Sequence, residues 1–265
     1  EMFYPTVRVR TQKAGGSGTV VYSKKVGGEV YTYVVTNHHV ISDNVQVEKK
    51  WNPVTKRKED KETLDTVQVE FFRYNNYSHC VGSFAIEADI VAYSEWEGGQ
   101  DWALLRVRDK ENPIDYVANM FPVDKLSDVH IFDECYAVGA SLGHPPIASE
   151  GHISYMDDEI DHYKYWMSTA QTIFGNSGGA CYRWSAVRKR YEYIGVPSRI
   201  TVQPMGFSAD PITHMGYFIP IDRIVKLLDD NDFQFIYDDK TYTIEDCEKA
   251  RKAKIKSEEK EEDED

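Results

Sequence analysis

Residues 174–180 read Phe-Gly-Asn-Ser-Gly-Gly-Ala, preceded by the small, polar run Ser-Thr-Ala-Gln-Thr-Ile (168–173) and followed by the strand-like Cys-Tyr-Arg-Trp (181–184). A serine hydroxyl is a poor nucleophile at neutral pH. It needs a base within hydrogen-bond reach and donors aimed at the oxygen that becomes negative. Glycines on both sides of Ser177 let the backbone turn, so that the amide hydrogens of Gly175 and Ser177 can face one point. Gly-Ser-Gly turns are common and mostly structural. The stretch therefore acquires meaning only if a base and an acid accompany it.

Upstream, Thr36-Asn37-His38-His39-Val40 closes the apolar run VYTYVV (30–35). A histidine at a strand end can project into a cleft while the strand fixes its backbone, as a general base requires. An isolated histidine there is more often packed or simply exposed. Asp101, in Gln100-Asp101-Trp102-Ala103-Leu104-Leu105, opens another apolar strand and by itself reads as a turn residue or strand cap. Taken together the three fall in the order His, Asp, Ser at intervals of 62 and 76 residues. That is the chain order of the chymotrypsin-type triad, different from the subtilisin and α/β-hydrolase orders.

At this point the sequence resembles the trypsin-like serine protease family, and within it the HtrA-type and related bacterial or phage enzymes. The resembling pieces are GSGTVV (16–21), VVTNHHVI (34–41), DWALLRV (101–107), YAVGASLG (136–143), SEGHIS (149–154), FGNSGGA (174–180), YIGV (193–196) and GYFIPI (216–221). They run in the family's order over about residues 5–228.

The resemblance implies an all-β fold of two six-stranded antiparallel β-barrels with a C-terminal helix. It places barrel one at about residues 1–112, barrel two at about 113–220 and the helix at 222–230, so that 1–230 is the protease domain. Residues 231–265 are then a C-terminal extension with a disordered acidic tail. Ser177 would attack the peptide carbonyl, His39 would take and return its proton, and Asp101 would orient the imidazole. The oxyanion hole falls at Gly175, Asn176 and Ser177, with the amides of Gly175 and Ser177 as donors. His39 is preferred to His38 because the family's T-x-x-H pattern puts the base in the fourth place. Asp89 and Asp109 do not head the D-x-A-L-L pattern and read as turn or surface carboxylates.

For specificity, the resemblance points to Gln171, six before the nucleophile, to Phe174 at the mouth, and to Ser198, Arg199 and Gly216 on the flanking strands. Gln171 is neutral, so the expected P1 residue is neutral, small aliphatic or polar. Asn176 stands where digestive relatives carry an aspartate that pairs with a newly cleaved N-terminus, so activation by such cleavage is not expected. After Asp230 only 35 residues remain, too few for the PDZ module of long HtrA proteins. No metal or organic cofactor is implied. A catalytically idle protease fold, used as a binding or virion-associated structural module, is the competing reading, and the complete triad counts against it. An esterase of the G-x-S-x-G type is disfavoured because Phe174 stands where the elbow needs glycine.

The rest of the chain agrees with an all-β body. Apolar or alternating runs recur at 19–23, 30–36, 67–74, 89–94, 102–107, 135–140, 191–196 and 216–221, punctuated by turn residues. One convincing helix, Asp222 to Asp230, carries an apolar stripe of Ile224, Val225, Leu227 and Leu228. Residues 49–61 read as a basic, solvated hairpin tip and 183–190 as a second basic turn.

With 265 residues, 41% hydrophobic and 13% aromatic, the chain can bury a sizeable core. Its net charge of −13 argues against a nucleic-acid partner, which is bound by neutralising phosphates. Residues 258–265 (EEKEEDED) hold −6 of that charge, so the remaining body is only −7. The expected partner is a polypeptide substrate. Homo-oligomerisation through Phe3-Tyr4-Pro5 competes with simple packing of the N-terminal strand. No apolar run approaches the roughly 18–20 residues that cross a bilayer, and the first ten residues lack a signal-peptide pattern. A soluble, intracellular protein is favoured, with a processed N-terminus left open. Cys80, Cys135, Cys181 and Cys247 show no C-x-x-C spacing and read as free thiols.

Overall fold

The computed structural model describes residues 1–52, 57–94, 99–109, 111–206 and 208–264. Within them each apolar run forms a strand, because β-branched and aromatic side chains fit a pleated, half-buried surface. The first barrel closes in the order β1 (Thr6–Arg10), β2 (Gly15–Val26), β3 (Glu29–Thr36), β8 (Ala103–Val107), β7 (Cys80–Tyr93) and β6 (Val67–Tyr74). Its interior is aliphatic: Val9, Val20, Val34, Ile41, Val69 and Leu105 are all fully buried.

The second barrel closes in the order β10 (Ile147–Ile160), β11 (Tyr163–Ser168), β14 (Ser208–Pro220), β13 (Arg190–Met205), β12 (Ala180–Ser185) and β9 (Glu134–Gly139). Bulkier residues fill it and its surroundings, among them Tyr165, Trp166, Tyr182, Tyr193 and Phe218. All strand pairings in both barrels are antiparallel. The fold is the double barrel expected from the sequence.

The basic segment after His39 is a separate two-stranded sheet of β4 (Val45–Asn52) and β5 (Arg57–Leu64), paired from Val45↔Leu64 outward. The rest of the expected tip, residues 53–56, lies outside the described residues. The second basic turn is tied down: Arg188 and Arg190 both pair with the buried Glu192. The N-terminal aromatics pack within their own chain, with Tyr4 stacked 4.8 Å from Tyr74 and meeting Tyr116 edge-to-face at 4.6 Å. All four cysteines are unpaired, and burial pushes the Cys135 thiol up to about 11.

Helix α2 (Ile221–Asp230) follows β14 directly and buries Ile221, Ile224, Val225 and Leu228. The packed body does not stop there. Phe233, Phe235, Ile236, Ile244 and Cys247 are buried, and the Phe235 ring sits 5.2 Å from Tyr22 and 5.4 Å from Tyr33 of the first barrel. A last helix, α3 (Ile244–Glu264), starts at Thr243, whose hydroxyl accepts the Asp246 amide while donating to the Asp246 carboxylate. This reciprocal capping holds the helix start. The first part of the extension is thus a strap binding α2 to barrel one, and the boundary expected at Asp230 is not a boundary of packing. Averaged composition hides this, because a few aromatics are scattered in a charge-dense stretch.

Phe235→Ala is accordingly expected to lower the unfolding free energy by about 3–5 kcal/mol, the usual cost of removing a fully buried phenyl ring. Urea denaturation followed by fluorescence measures it. A change below about 1 kcal/mol would detach the extension from the folded body.

Candidate active site

Three segments meet between the barrels. β3 ends at Thr36, and Asn37 in extended conformation turns the chain into the one-turn helix α1 (His38–Ile41). Asp101 lies just ahead of β8 in the left-handed region, φ 49°, a conformation that aspartate tolerates better than bulkier residues. Asn37 Nδ2 donates to the Asp101 carbonyl at 2.7 Å, tying the two segments together.

The Asp101 carboxylate is 4% exposed and accepts three donors. His39 Nδ1 lies 2.8 Å from Oδ2, the His39 backbone N–H donates to Oδ1 at 3.0 Å, and the Ser198 hydroxyl donates to Oδ2 at 2.6 Å. An ionised carboxylate only accepts, so the neutral ring carries its proton on Nδ1 and keeps the Nε2 lone pair free. His39 is one-third exposed and lines a cavity of about 250 Å³ together with Ser177. His38 turns away: its Nδ1 is 2.7 Å from the Ser94 carbonyl and its ring packs 4.7 Å from Tyr93. Asp89 pairs with Arg108, and Asp109 accepts the Glu111 amide.

The loop carrying Ser177 presents its amides selectively. Asn176 donates to the Ile173 carbonyl at 3.0 Å, Gly178 to Pro197 at 3.0 Å and Gly179 to Asn176 at 2.9 Å. Among the described residues, the amides of Gly175 and Ser177 have no acceptor. Their orientation has a cause. The Phe174 carbonyl accepts the Leu142 amide at 2.9 Å, and in a trans peptide the following N–H points the opposite way. Asn176, between them, offers no donor to that point: its amide is spent on Ile173, and its side-chain oxygen accepts the Ser141 hydroxyl. The Ser177 hydroxyl makes no hydrogen bond among the described residues.

Gly178 has φ 84°, and a Cβ there would meet the Ser17 carbonyl oxygen at 2.1 Å and Thr36 Oγ1 at 2.3 Å. No side chain fits. Those two neighbours belong to barrel one, so the Ser177 loop is docked across the interface. Ser17, fully buried, does most of this docking. Its amide donates to the Ser177 carbonyl at 2.7 Å, and its hydroxyl donates to the Gly175 carbonyl at 2.6 Å while accepting the Ala140 amide at 2.7 Å. In the sequence Ser17 stands out only as part of GSGTVV; its pairing across 158 positions leaves no local signal.

A family model for the trypsin-like peptidase domain matches residues 16–186, a span that holds His39, Asp101 and Ser177. The chain belongs to the trypsin-like peptidase family. Among solved structures, the HtrA-type protease AlgW with tripeptide is similar at TM-score 0.55 and 18% identity, over 89% of this chain and 61% of that one. Deg5 is similar at TM-score 0.53 and 20% identity, over 84% of this chain and 87% of that one. At such identities the likeness concerns the fold, and this chain spans about three-fifths of the AlgW chain. No curated protein matches the sequence.

In this trypsin-like peptidase the cavity beside His39 and Ser177 is walled by Thr172, Ile173, Phe174, Pro197, Arg199 and Ile200, with Asn176 and Ser198. Two expected wall residues stand elsewhere. Gln171 lines a neighbouring cavity of about 270 Å³ with Ser141, Leu142 and His144, and its carbonyl accepts the Ser149 hydroxyl. Gly216 pairs with Ser168 and Ile200, and a Cβ there would meet Thr172 Oγ1 at 2.2 Å. Its missing side chain makes room for Thr172, which takes the wall position. Phe174, also in the lining, is 62% exposed. Ser198 lines the cavity but gives its hydroxyl to Asp101. Arg199 pairs with Asp161 at 3.3 Å over the Tyr165 ring.

Among the described residues no group of three or more His, Cys, Asp or Glu is placed to hold a metal ion, and no helix is long and apolar enough to cross a membrane.

Proposed function

We propose that this peptidase is a serine endopeptidase working through Ser177, His39 and Asp101 and an acyl-enzyme intermediate. The observation that carries the reading is the Asp101 carboxylate, buried and bonded to both the ring and the backbone of His39, beside two unclaimed amides at Gly175 and Ser177. Polypeptide is the substrate.

With a peptide in the cleft, His39 Nε2 accepts the Ser177 proton as Oγ attacks the carbonyl carbon; such bonds tighten once substrate is in place. The carbonyl oxygen becomes negative and is met by the amide hydrogens of Gly175 and Ser177, each worth about 10²–10³ in rate by analogy with other oxyanion holes. Asp101 stabilises the imidazolium. The proton passes to the leaving amine, and water then repeats the sequence on the ester. Among the described residues the cavity walls carry no acid, and the Arg199 guanidinium is paired with Asp161, so the favoured P1 side chain is neutral. A volume of about 250 Å³ suits a small or medium one.

A fluorophosphonate probe is expected to add to Ser177, read as an intact-mass shift absent from Ser177→Ala. In a peptide library, cleavage is expected after neutral residues. Labelling of wild type no greater than of Ser177→Ala would favour the idle binding fold. Cleavage confined to Lys and Arg would overturn the pocket assignment.

A further inference from the structure

Asp101 occupies an uncommon backbone conformation, so something must hold it there. Downstream, Asn37 holds its carbonyl. Upstream, the holding groups come from barrel two and α2. The Tyr165 hydroxyl donates to the Gly99 carbonyl at 2.5 Å, and Arg223 Nη2 donates to the carbonyls of both Gly99 and Gln100 at 3.3 Å. The Gln100 side chain in turn donates to the Tyr163 hydroxyl.

Arg223 is an unusual residue for this place. Its guanidinium lies 4.8 Å from the ring centroids of both Tyr163 and Tyr165, and its Nη1 donates to the Lys164 carbonyl at 2.8 Å. Among the described residues no carboxylate reaches it within ion-pair distance, and burial pulls its pKa down. A half-buried guanidinium out of ion-pair contact, with only Asp222 as a nearby opposite charge, is costly and is retained where its rigid fork positions something. Here one arm of the fork, Nη2, is shared between the two successive carbonyls immediately before Asp101, while the other, Nη1, holds Lys164.

We propose that Arg223, gripped by Tyr163 and Tyr165, is a positioning residue that sets the Gly99–Gln100 backbone and through it the Asp101–His39 hydrogen bond. The inference rests on the serine endopeptidase reading. It makes α2 and barrel two part of the acid's support, although Asp101 itself belongs to barrel one. Ser198 adds a second arm from barrel two, directly on the carboxylate.

The test compares Arg223→Met, which keeps length and apolar stem but loses every donor, with Arg223→Lys, which keeps charge and loses the fork. On a peptide that wild type cleaves, Arg223→Met is expected to lower kcat about 10–100-fold with KM within twofold, the scale of an ångström-sized misplacement. Arg223→Lys should recover part of the loss. In an Asp101→Asn background, Arg223→Met should add less than threefold, because both changes act through one hydrogen bond. A kcat within twofold of wild type, or losses that multiply fully, would overturn the proposal.

The low-field proton resonance of His39 Nδ1–H is the readout independent of peptidase activity. It should shift or broaden in Arg223→Met, and an unchanged resonance overturns the clamp. A wild type that cleaves nothing would fail the endopeptidase reading while leaving this readout intact. Should Arg223→Met not fold, Tyr165→Phe removes one donor to Gly99 while keeping the ring. It is then expected to move kcat and the resonance in the same direction, and no movement overturns the proposal.

Discussion

Ser177→Ala is expected to lower kcat by about 10⁶-fold on any peptide that wild type cleaves, the scale seen when a triad nucleophile is removed. At 1.36 kcal/mol per decade that is about 8 kcal/mol of transition-state stabilisation. The loss should appear in kcat with KM nearly unchanged, because the Ser177 hydroxyl makes no bond within the described chain and the cavity walls are untouched. Folding should be indifferent for the same reason. The Ser177 contributions to structure are backbone ones, with its carbonyl accepting the Ser17 amide, and alanine keeps them. Residual turnover of about 10³–10⁴ over water would remain from the two amides and from binding. Steady-state kinetics on purified variant, with thermal melting alongside, measures both halves. A loss under about tenfold would mean that Ser177 is not the nucleophile.

Much of this site was legible because short motifs carry it. His39, Asp101 and Ser177 each sit where a patterned strand meets a turn, and local pattern shows where strands end. The short apolar runs of β3 and β8 mark buried strands within a few residues, so an all-β body could be read from the chain, while the two barrels followed from the family resemblance. What could not be read is what depends on contacts between distant segments. Ser17 looks like any small residue in a strand, yet three of its hydrogen bonds reach the loops at 140 and 175–177. The family resemblance points to Gln171 by its offset from Ser177 and to Gly216 by its strand, but the pocket wall depends on how Thr172 packs against Gly216, which neither conveys. Asn176 illustrates the same limit at smaller scale. The amides of Gly175 and Ser177 were the expected donors, but nothing in the sequence shows that the Asn176 amide goes to Ile173 and its side chain to Ser141. Arg223 had no motif at all.

Asp101→Asn is the second large effect, expected to lower kcat about 10⁴-fold near neutral pH without loss of fold. The geometry says why an isosteric change should cost so much. The carboxylate meets three donors: the His39 amide on Oδ1, and His39 Nδ1–H with the Ser198 hydroxyl on Oδ2. Asparagine has one oxygen and one NH₂, so it satisfies the rigid His39 amide only by keeping its oxygen there. The NH₂ then faces the other two. Ser198 can rotate its hydroxyl and accept, at little cost. His39 can accept only by moving its proton from Nδ1 to Nε2, and a protonated Nε2 cannot take the Ser177 proton. The variant thus loses the base while keeping every heavy atom in place, and it also loses the charge that stabilises the imidazolium. Thermal stability close to wild type, together with the kinetic collapse, is the expected pair of results. A variant retaining more than about one-tenth of wild-type kcat would show that Asp101 does not orient the base.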